Sequence, residues 1–256
     1  MLGEIVAQHL ANRLGQAVDR KLDLGGTLLA HQALVAGGID VYPEYTGTAL
    51  TAVLHMPPLS DPAAVFEAVR KEYERRFDLI WLPPLGFNDS FAMVIRGDIA
   101  RRNGLRSLSD AAQYKAGWLL GVGYEFSQRP DGLPALMKTY GLPVKGEPKT
   151  MDLGLLYEAL EHGQVTMVAG NTTDGLLSVL DVVVLRDDRH AFPPYEGALV
   201  TRQQSLAAHP GMQAALSELS GSLPDKTMQS LNYSVEGKHE AARQVAAAFL
   251  RGKGLA

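Results

Sequence analysis

The chain has 256 residues, with 24 Lys+Arg against 28 Asp+Glu and 46% hydrophobic residues. That length holds one large domain or two lobes of roughly 120 residues each, with ample apolar content for packed cores. The slightly acidic balance, without a basic run, argues against a nucleic-acid partner, and zero cysteines exclude thiolate nucleophiles, disulfide scaffolds and cysteine-ligated metals.

In chain order, Leu2, Ile5, Val6, Leu10 and Leu14 recur at helical spacing from the very start, and Gly15 closes that helix. A helix opening at the first residue with no cap ahead of it suggests that an upstream piece is missing, and no signal peptide is visible. Residues 21–24 read as a short strand. Thr27 then caps a helix to about Ala36, with Leu28, Leu29, Ala33 and Leu34 as its apolar stripe. Gly37-Gly38 ends it before a buried-type strand at 39–42.

A helix is predicted at Pro62–Phe77, followed by strands at 79–82 and 91–95, a helix at 108–114, a strand at 118–122 and a helix at Leu133–Tyr140. Asp152 caps a helix carrying Leu155, Leu156, Ala159 and Leu160; Gly163 ends it and 165–168 is the next strand. Val182–Leu185 is a further strand, 189–197 is rich in turns, 198–201 is a strand, and helices fill the remainder. Helix, glycine and short apolar strand thus occur in that order once in each half. This echo favours two α/β lobes of similar build. No run approaches the roughly 20 apolar residues of a membrane-spanning helix.

Catalytic signatures are missing. Gly252-Lys253-Gly254 lacks the spacing of a phosphate-binding loop, and Gly121-Val-Gly123 has Phe126 where a dinucleotide fingerprint needs glycine. No nucleophile elbow occurs. The seven histidines have no metal-ligand spacing and are expected at the surface or at caps, so no metal, cofactor or enzymatic activity is implied. What stands out instead is a set of polar and aromatic turns at strand ends, where open α/β sheets bind ligands. They are Tyr42-Pro-Glu-Tyr45-Thr-Gly-Thr48, Phe87-Asn-Asp89-Ser-Phe91, Tyr124-Glu125-Phe-Ser-Gln-Arg129, Gly170-Asn171-Thr172-Thr173-Asp174 and Pro193-Pro194-Tyr195-Glu196-Gly197.

With Leu24-Gly-Gly-Thr27, Gly38-Ile-Asp-Val-Tyr42, Asp131-Gly132 and Asp187-Asp188-Arg189-His-Ala-Phe192, these segments resemble, in order along nearly the whole chain, one family. It is the OpuAC-type substrate-binding protein of osmoprotectant ABC transporters, which takes up glycine betaine, carnitine or choline. The resemblance implies an α/β, two-lobed periplasmic-binding-protein fold of type II with ligand in a cleft. One lobe would comprise 1–90 plus 197–256 and the other 91–196, with two crossovers. It also implies a monomer that works with permease subunits, periplasmic or membrane-associated outside the cell. By the same resemblance the first N-terminal strand and its turn are missing, which would leave a sheet position unfilled.

A trimethylammonium group has no N–H to donate, so its recognition depends on aromatic faces. The resemblance gives that role to Tyr45, Phe91 and Tyr195. Thr48 and Arg129 would take the anionic end, Arg129 by two parallel hydrogen bonds, while Asp89 and Glu125 would supply further cleft charges. Two departures from the family pattern bear on the ligand. Phe91 stands where tyrosine is expected, and the 170–174 turn has no aromatic, offering Asn171 and Thr172 instead. That thinner cage with extra polar partners also suits a larger betaine such as ergothioneine. An enzyme on the same scaffold is the remaining alternative. Phe87, Phe126, Trp81, Trp118 and Tyr42 are assigned to packing, and Glu196, Asp187 and Asp188 to solvent.

Overall fold

In the computed structural model, which describes residues 1–22 and 24–256, the strongest local signals become elements at the expected places. Asp61 caps helix Pro62–Phe77 by accepting the Ala64 N–H at 3.0 Å, Pro62 sits in the first turn, and a left-handed Asp78 ends the helix. The strands among the described residues are β1 (Val41–Tyr45), β2 (Leu79–Trp81), β3 (Phe91–Arg96), β4 (Leu120–Val122), β5 (Lys149–Thr150), β6 (Met167–Asn171), β7 (Val182–Leu185) and β8 (Gly197–Arg202). The chain forms two compact units, Met1–Asn88 with Pro194–Ala256, and Asp89–Pro193. By this division Asp89 falls in the second unit and Tyr195 in the first.

The first unit has an antiparallel sheet in the order β1-β8-β2. Alternation along β8 feeds two cores. Leu199 faces one with Ile5, Leu10, Leu216 and Leu250, while Ala198 and Val200 face another with Tyr42, Val69, Tyr73 and Trp81. A cleft of about 820 Å³ runs along β1, helix Leu2–Leu14 and residues 16–22, 24 and 25.

The second unit has a mixed sheet in the order β5-β4-β6-β3-β7, with β4 parallel to β5 and β6 and with β3 antiparallel to β6 and β7. Helix Leu153–Glu161 covers it through Leu156 and Leu160, which meet Ala92, Val94 and Val168. After β4 the chain turns into helix Tyr124–Gln128, which carries one of the candidate turns.

Several expectations are corrected. Lys21, Leu22 and Leu24 are not in a strand, and Asp23 lies outside the described residues. The strand expected at 39–42 starts at Val41, because its ladder with β8 begins at Val41↔Thr201 and Asp40 instead binds Arg202 and Ser205. The 118–122 strand starts at Leu120, with Trp118 bridging to Val144. Gly26, not Thr27, precedes the second helix, and Asp152 makes no side-chain capping bond. Leu28 and Leu29 are exposed and only Leu34 of that stripe is fully buried. His9 and His31 are buried rather than superficial, and the His9 ring nitrogens lie 2.8 Å from the carbonyl oxygens of Leu255 and Ala215.

Candidate functional site

In the first unit the Tyr-Pro-Glu-Tyr-Thr-Gly-Thr segment spans the end of β1 and the helical turn Thr46–Thr48. The segment is tied to the start of β8 by main-chain and hydroxyl bonds. Thr46 N–H donates to the Glu196 carbonyl at 3.1 Å, Glu196 N–H donates to Thr46 Oγ1 at 3.0 Å, and Thr46 Oγ1 donates to the Pro194 carbonyl at 3.2 Å. Asn88 Oδ1 accepts the Tyr195 N–H at 2.6 Å. Gly47 makes this closeness possible, because a Cβ there would stand 2.6 Å from the Pro194 carbonyl and 2.7 Å from the Tyr195 ring. Tyr45, half-buried, meets Phe87 edge to face at 6.2 Å. Thr48 and Tyr195 are buried.

Two carboxylates accompany these rings. Glu44 is buried and accepts both the Tyr42 hydroxyl at 2.9 Å and the Tyr45 N–H at 2.8 Å. Burial, then the nearby Glu44 charge, pushes the Tyr42 phenol far up, so it remains a donor. Glu196 is half-buried rather than solvated, and that burial raises its pKa.

In the second unit Phe91 and Asn171 face each other across the β3–β6 ladder. Thr172 N–H donates to the Ser90 carbonyl at 2.9 Å, and Thr173 Oγ1 donates to Asp89 at 2.5 Å. Asp174 accepts the Asn171 N–H at 2.8 Å and the Tyr157 hydroxyl at 2.6 Å, and burial raises its pKa despite those bonds. The turn carrying Asn171 and Thr172 is therefore fixed at both ends by carboxylates.

Arg129 departs from its expected use. Its Nε and Nη2 form a fork on Asp131, at 2.9 and 2.7 Å, so the two parallel bonds assigned to a ligand carboxylate are made to a protein carboxylate instead. Its guanidinium lies 5.2 Å from the centre of the Phe91 ring. Glu125 is exposed, with its carboxylate 3.9 Å from Arg129 Nη1. Gly132 follows because a Cβ there would collide with the Phe126 carbonyl. Phe91 also packs against Phe126 at 4.9 Å and Phe192 at 5.5 Å, both nearly perpendicular to it.

Of the candidate residues, Tyr45, Thr48 and Tyr195 thus gather in the first unit, and Asp89, Phe91, Glu125, Arg129, Asn171 and Thr172 belong to the second. Sequence reasoning missed Asn88, Phe192 and the role of Asp131. The Arg-x-Asp spacing was a visible signal for the last. Asn88 and Phe192 lie inside segments singled out above, but their contacts with Tyr195 and Phe91 are distant in sequence and could not be read there. The 820 Å³ cleft includes none of the candidates.

Comparison with known proteins gives a consistent picture. A family described as the substrate-binding domain of ABC-type glycine betaine transport systems matches residues 1–252. The chain is 34% identical over 231 residues to the ergothioneine transport permease/ergothioneine binding protein EgtU of Helicobacter pylori, covering 90% of this chain and only 41% of that protein. It is 35% identical over 261 residues to a glycine-betaine-binding protein of Pseudomonas aeruginosa, covering 98% of this chain and 83% of that one. A solved structure of a glycine betaine/carnitine/choline ABC transporter component superposes with a TM-score of 0.84 at 28% identity, over 98% of this chain and 93% of the other. The fold is the type II periplasmic-binding-protein fold. No helix among the described residues is long and apolar enough to cross a membrane.

Proposed function

Because the chain belongs to the family of substrate-binding domains of ABC-type glycine betaine transport systems, we propose that its solute is a quaternary-ammonium compound such as glycine betaine, choline or carnitine. Proteins of this family bind and deliver solutes and are not enzymes, and the solute-binding role extends to this chain. The observation that carries the choice of ligand is the aromatic set Tyr45, Tyr195 and Phe91 at strand ends, with the Glu44 carboxylate on the Tyr45 N–H, the Asn88 amide on the Tyr195 N–H and the Arg129 guanidinium near the Phe91 ring. Such rings attract a cation that cannot donate hydrogen bonds. Thr48, Asn171 and Thr172 supply polar partners. Arg129, held by Asp131, serves as a preset positive charge for the anionic end rather than as a two-pronged clamp. The ligand favours the state of the protein that makes more contacts with it. The protein works as a monomer, outside the cytoplasm, with permease subunits.

A larger betaine such as ergothioneine is the second reading. Asn171 favours it, since an amide opposite Phe91 suits a ligand with ring nitrogens, and so does the likeness to the Helicobacter pylori protein.

Calorimetric titration with glycine betaine, choline, carnitine and ergothioneine tests both readings. Binding should weaken roughly two- to thirtyfold in Tyr45→Ala, the loss of one cation–π ring worth about 0.5–2 kcal/mol. No heat with any of the four would overturn the proposal, and a response to ergothioneine alone would select the second reading.

A further inference from the structure

The second unit contains a side-chain pair outside the candidate turns that bears on the geometry around Phe91. Asp187 follows β7 and gathers three donors: the Tyr140 hydroxyl at 2.5 Å, the Ala191 N–H at 3.0 Å and the Phe192 N–H at 2.9 Å. The Tyr140 hydroxyl in turn accepts the Arg189 N–H at 2.6 Å, and the Arg189 guanidinium lies 5.4 Å from the Tyr140 ring centre. Between them His190 takes a left-handed backbone, with φ of 53°. The turn from 187 to 192 is thus tied to the end of helix Leu133–Tyr140 through the Tyr140 hydroxyl, while Asp187 closes the turn on itself through the Ala191 and Phe192 N–H groups. Burial and the bond to Asp187 push the Tyr140 phenol up, which keeps its hydroxyl a donor.

The residue delivered by this turn is Phe192. It is 7% exposed and packs at 5.5 Å and 69° on Phe91, and at 6.0 Å and 62° on Phe126. Phe91 lacks a hydroxyl that could anchor its ring by a hydrogen bond. Its orientation depends on neighbours that include Phe126, Phe192 and the Arg129 guanidinium. Phe126 and Arg129 are held locally, by helix Tyr124–Gln128 and by Asp131. Phe192 is held by the Tyr140–Asp187 pair.

We infer that Tyr140 and Asp187 are positioning residues for ammonium recognition, acting through Phe192 to hold the Phe91 ring at the angle a quaternary ammonium requires. The inference rests on the quaternary-ammonium reading above. Attraction of a cation to a ring depends on where the charge sits over the face, whereas apolar contact with the same ring tolerates rotation. Loosening the pair should therefore reduce the preference for charge more than it reduces apolar binding.

The test compares choline with dimethylbutanol, its neutral isostere in which carbon replaces the ammonium nitrogen, by titration of the whole chain. Wild type should prefer choline by about tenfold, and Tyr140→Phe and Asp187→Asn should each cut that preference to about threefold or less with dimethylbutanol affinity nearly unchanged. Phe192→Leu, which leaves the hydrogen bonds to Asp187 in place, should reproduce the loss, and Phe192→Tyr should restore the preference. Equal weakening of both ligands would show a purely structural role and overturn the inference, as would an unchanged preference in all variants. If one of Tyr140→Phe and Asp187→Asn fails to fold, the other decides, with Phe192→Leu reporting on the last link to Phe91. Wild type that binds no choline would remove the quaternary-ammonium reading and this inference with it, a failure seen before any substitution is made.

Discussion

In the first unit Tyr45, Thr48 and Tyr195 are set mostly by main-chain and neutral side-chain groups and by the space Gly47 leaves, with the Glu44 carboxylate on the Tyr45 N–H, whereas in the second Arg129 and Asn171 are set by carboxylates and Phe91 by the rings and guanidinium around it. The first arrangement is largely steric: around Thr46 and Glu196 its donors and acceptors are main-chain groups, the Thr46 hydroxyl and the Asn88 amide, none of which titrates. The second is electrostatic, with Asp131, Asp174, Asp89 and Asp187 each holding a different part. Substitution by size should damage the first, and substitution by charge or a change of pH the second.

The largest effect is expected at Arg129. Its partner Asp131 has a side chain only 3% exposed, so Arg129→Met takes the fork from a buried carboxylate and should cost about 3–5 kcal/mol in urea unfolding. A loss below about 1 kcal/mol would mean the pair behaves as a surface ion pair. Next comes Gly47→Ala, where the added methyl must displace the Tyr195 ring or the Pro194 carbonyl; a loss of about 1–3 kcal/mol with weaker ligand binding is expected from calorimetry. Were Gly47→Ala silent, the steric account of the first unit would not stand.

A smaller effect follows from Asp174. Burial raises its carboxyl above the ordinary 3.8, so the folded protein holds that proton more tightly than the unfolded chain does. The stability it contributes is full at low pH and is lost as pH rises from about the unfolded value through the folded one. Asp174→Asn lacks this loss, so its stability relative to wild type should improve across that window. Unfolding midpoints measured at a series of pH values check the sign. Lowered carboxyls such as Asp40 slope the other way in both proteins and cancel in the difference. Smallest is Gly154→Ala, in helix Leu153–Glu161 with nothing within 4 Å of an added Cβ, which should stabilise by about 0.5 kcal/mol and leave binding alone. It is the control for Gly47→Ala.

Much of this molecule was legible without coordinates. Helix Pro62–Phe77 and strand Val182–Leu185 occur at the predicted residues because an Asp-Pro start and a valine run bias the backbone locally. The candidate turns were legible as well, since tyrosines, threonines and glycines crowd strand ends there. What failed was whatever depended on a distant partner. Residues 21–24 alternate like a strand, yet Lys21, Leu22 and Leu24 are in none, and β1 takes its register from β8 some 150 positions away. Arg129 has Glu125 four residues before it and Asp131 two after, and both pairings are chemically reasonable on paper.

By itself, then, the sequence determined the α/β character, the Pro62–Phe77 helix with its Asp-Pro start, and the kinds of group gathered in the turns, because these follow from forces acting within a few residues. The tertiary structure alone decided that Asp131 rather than Glu125 holds the Arg129 fork, and that Tyr140 reaches Asp187 to place Phe192. The reason is desolvation. A charge pair or a ring contact gains its strength from burial, and which of several possible partners is buried depends on how distant segments pack.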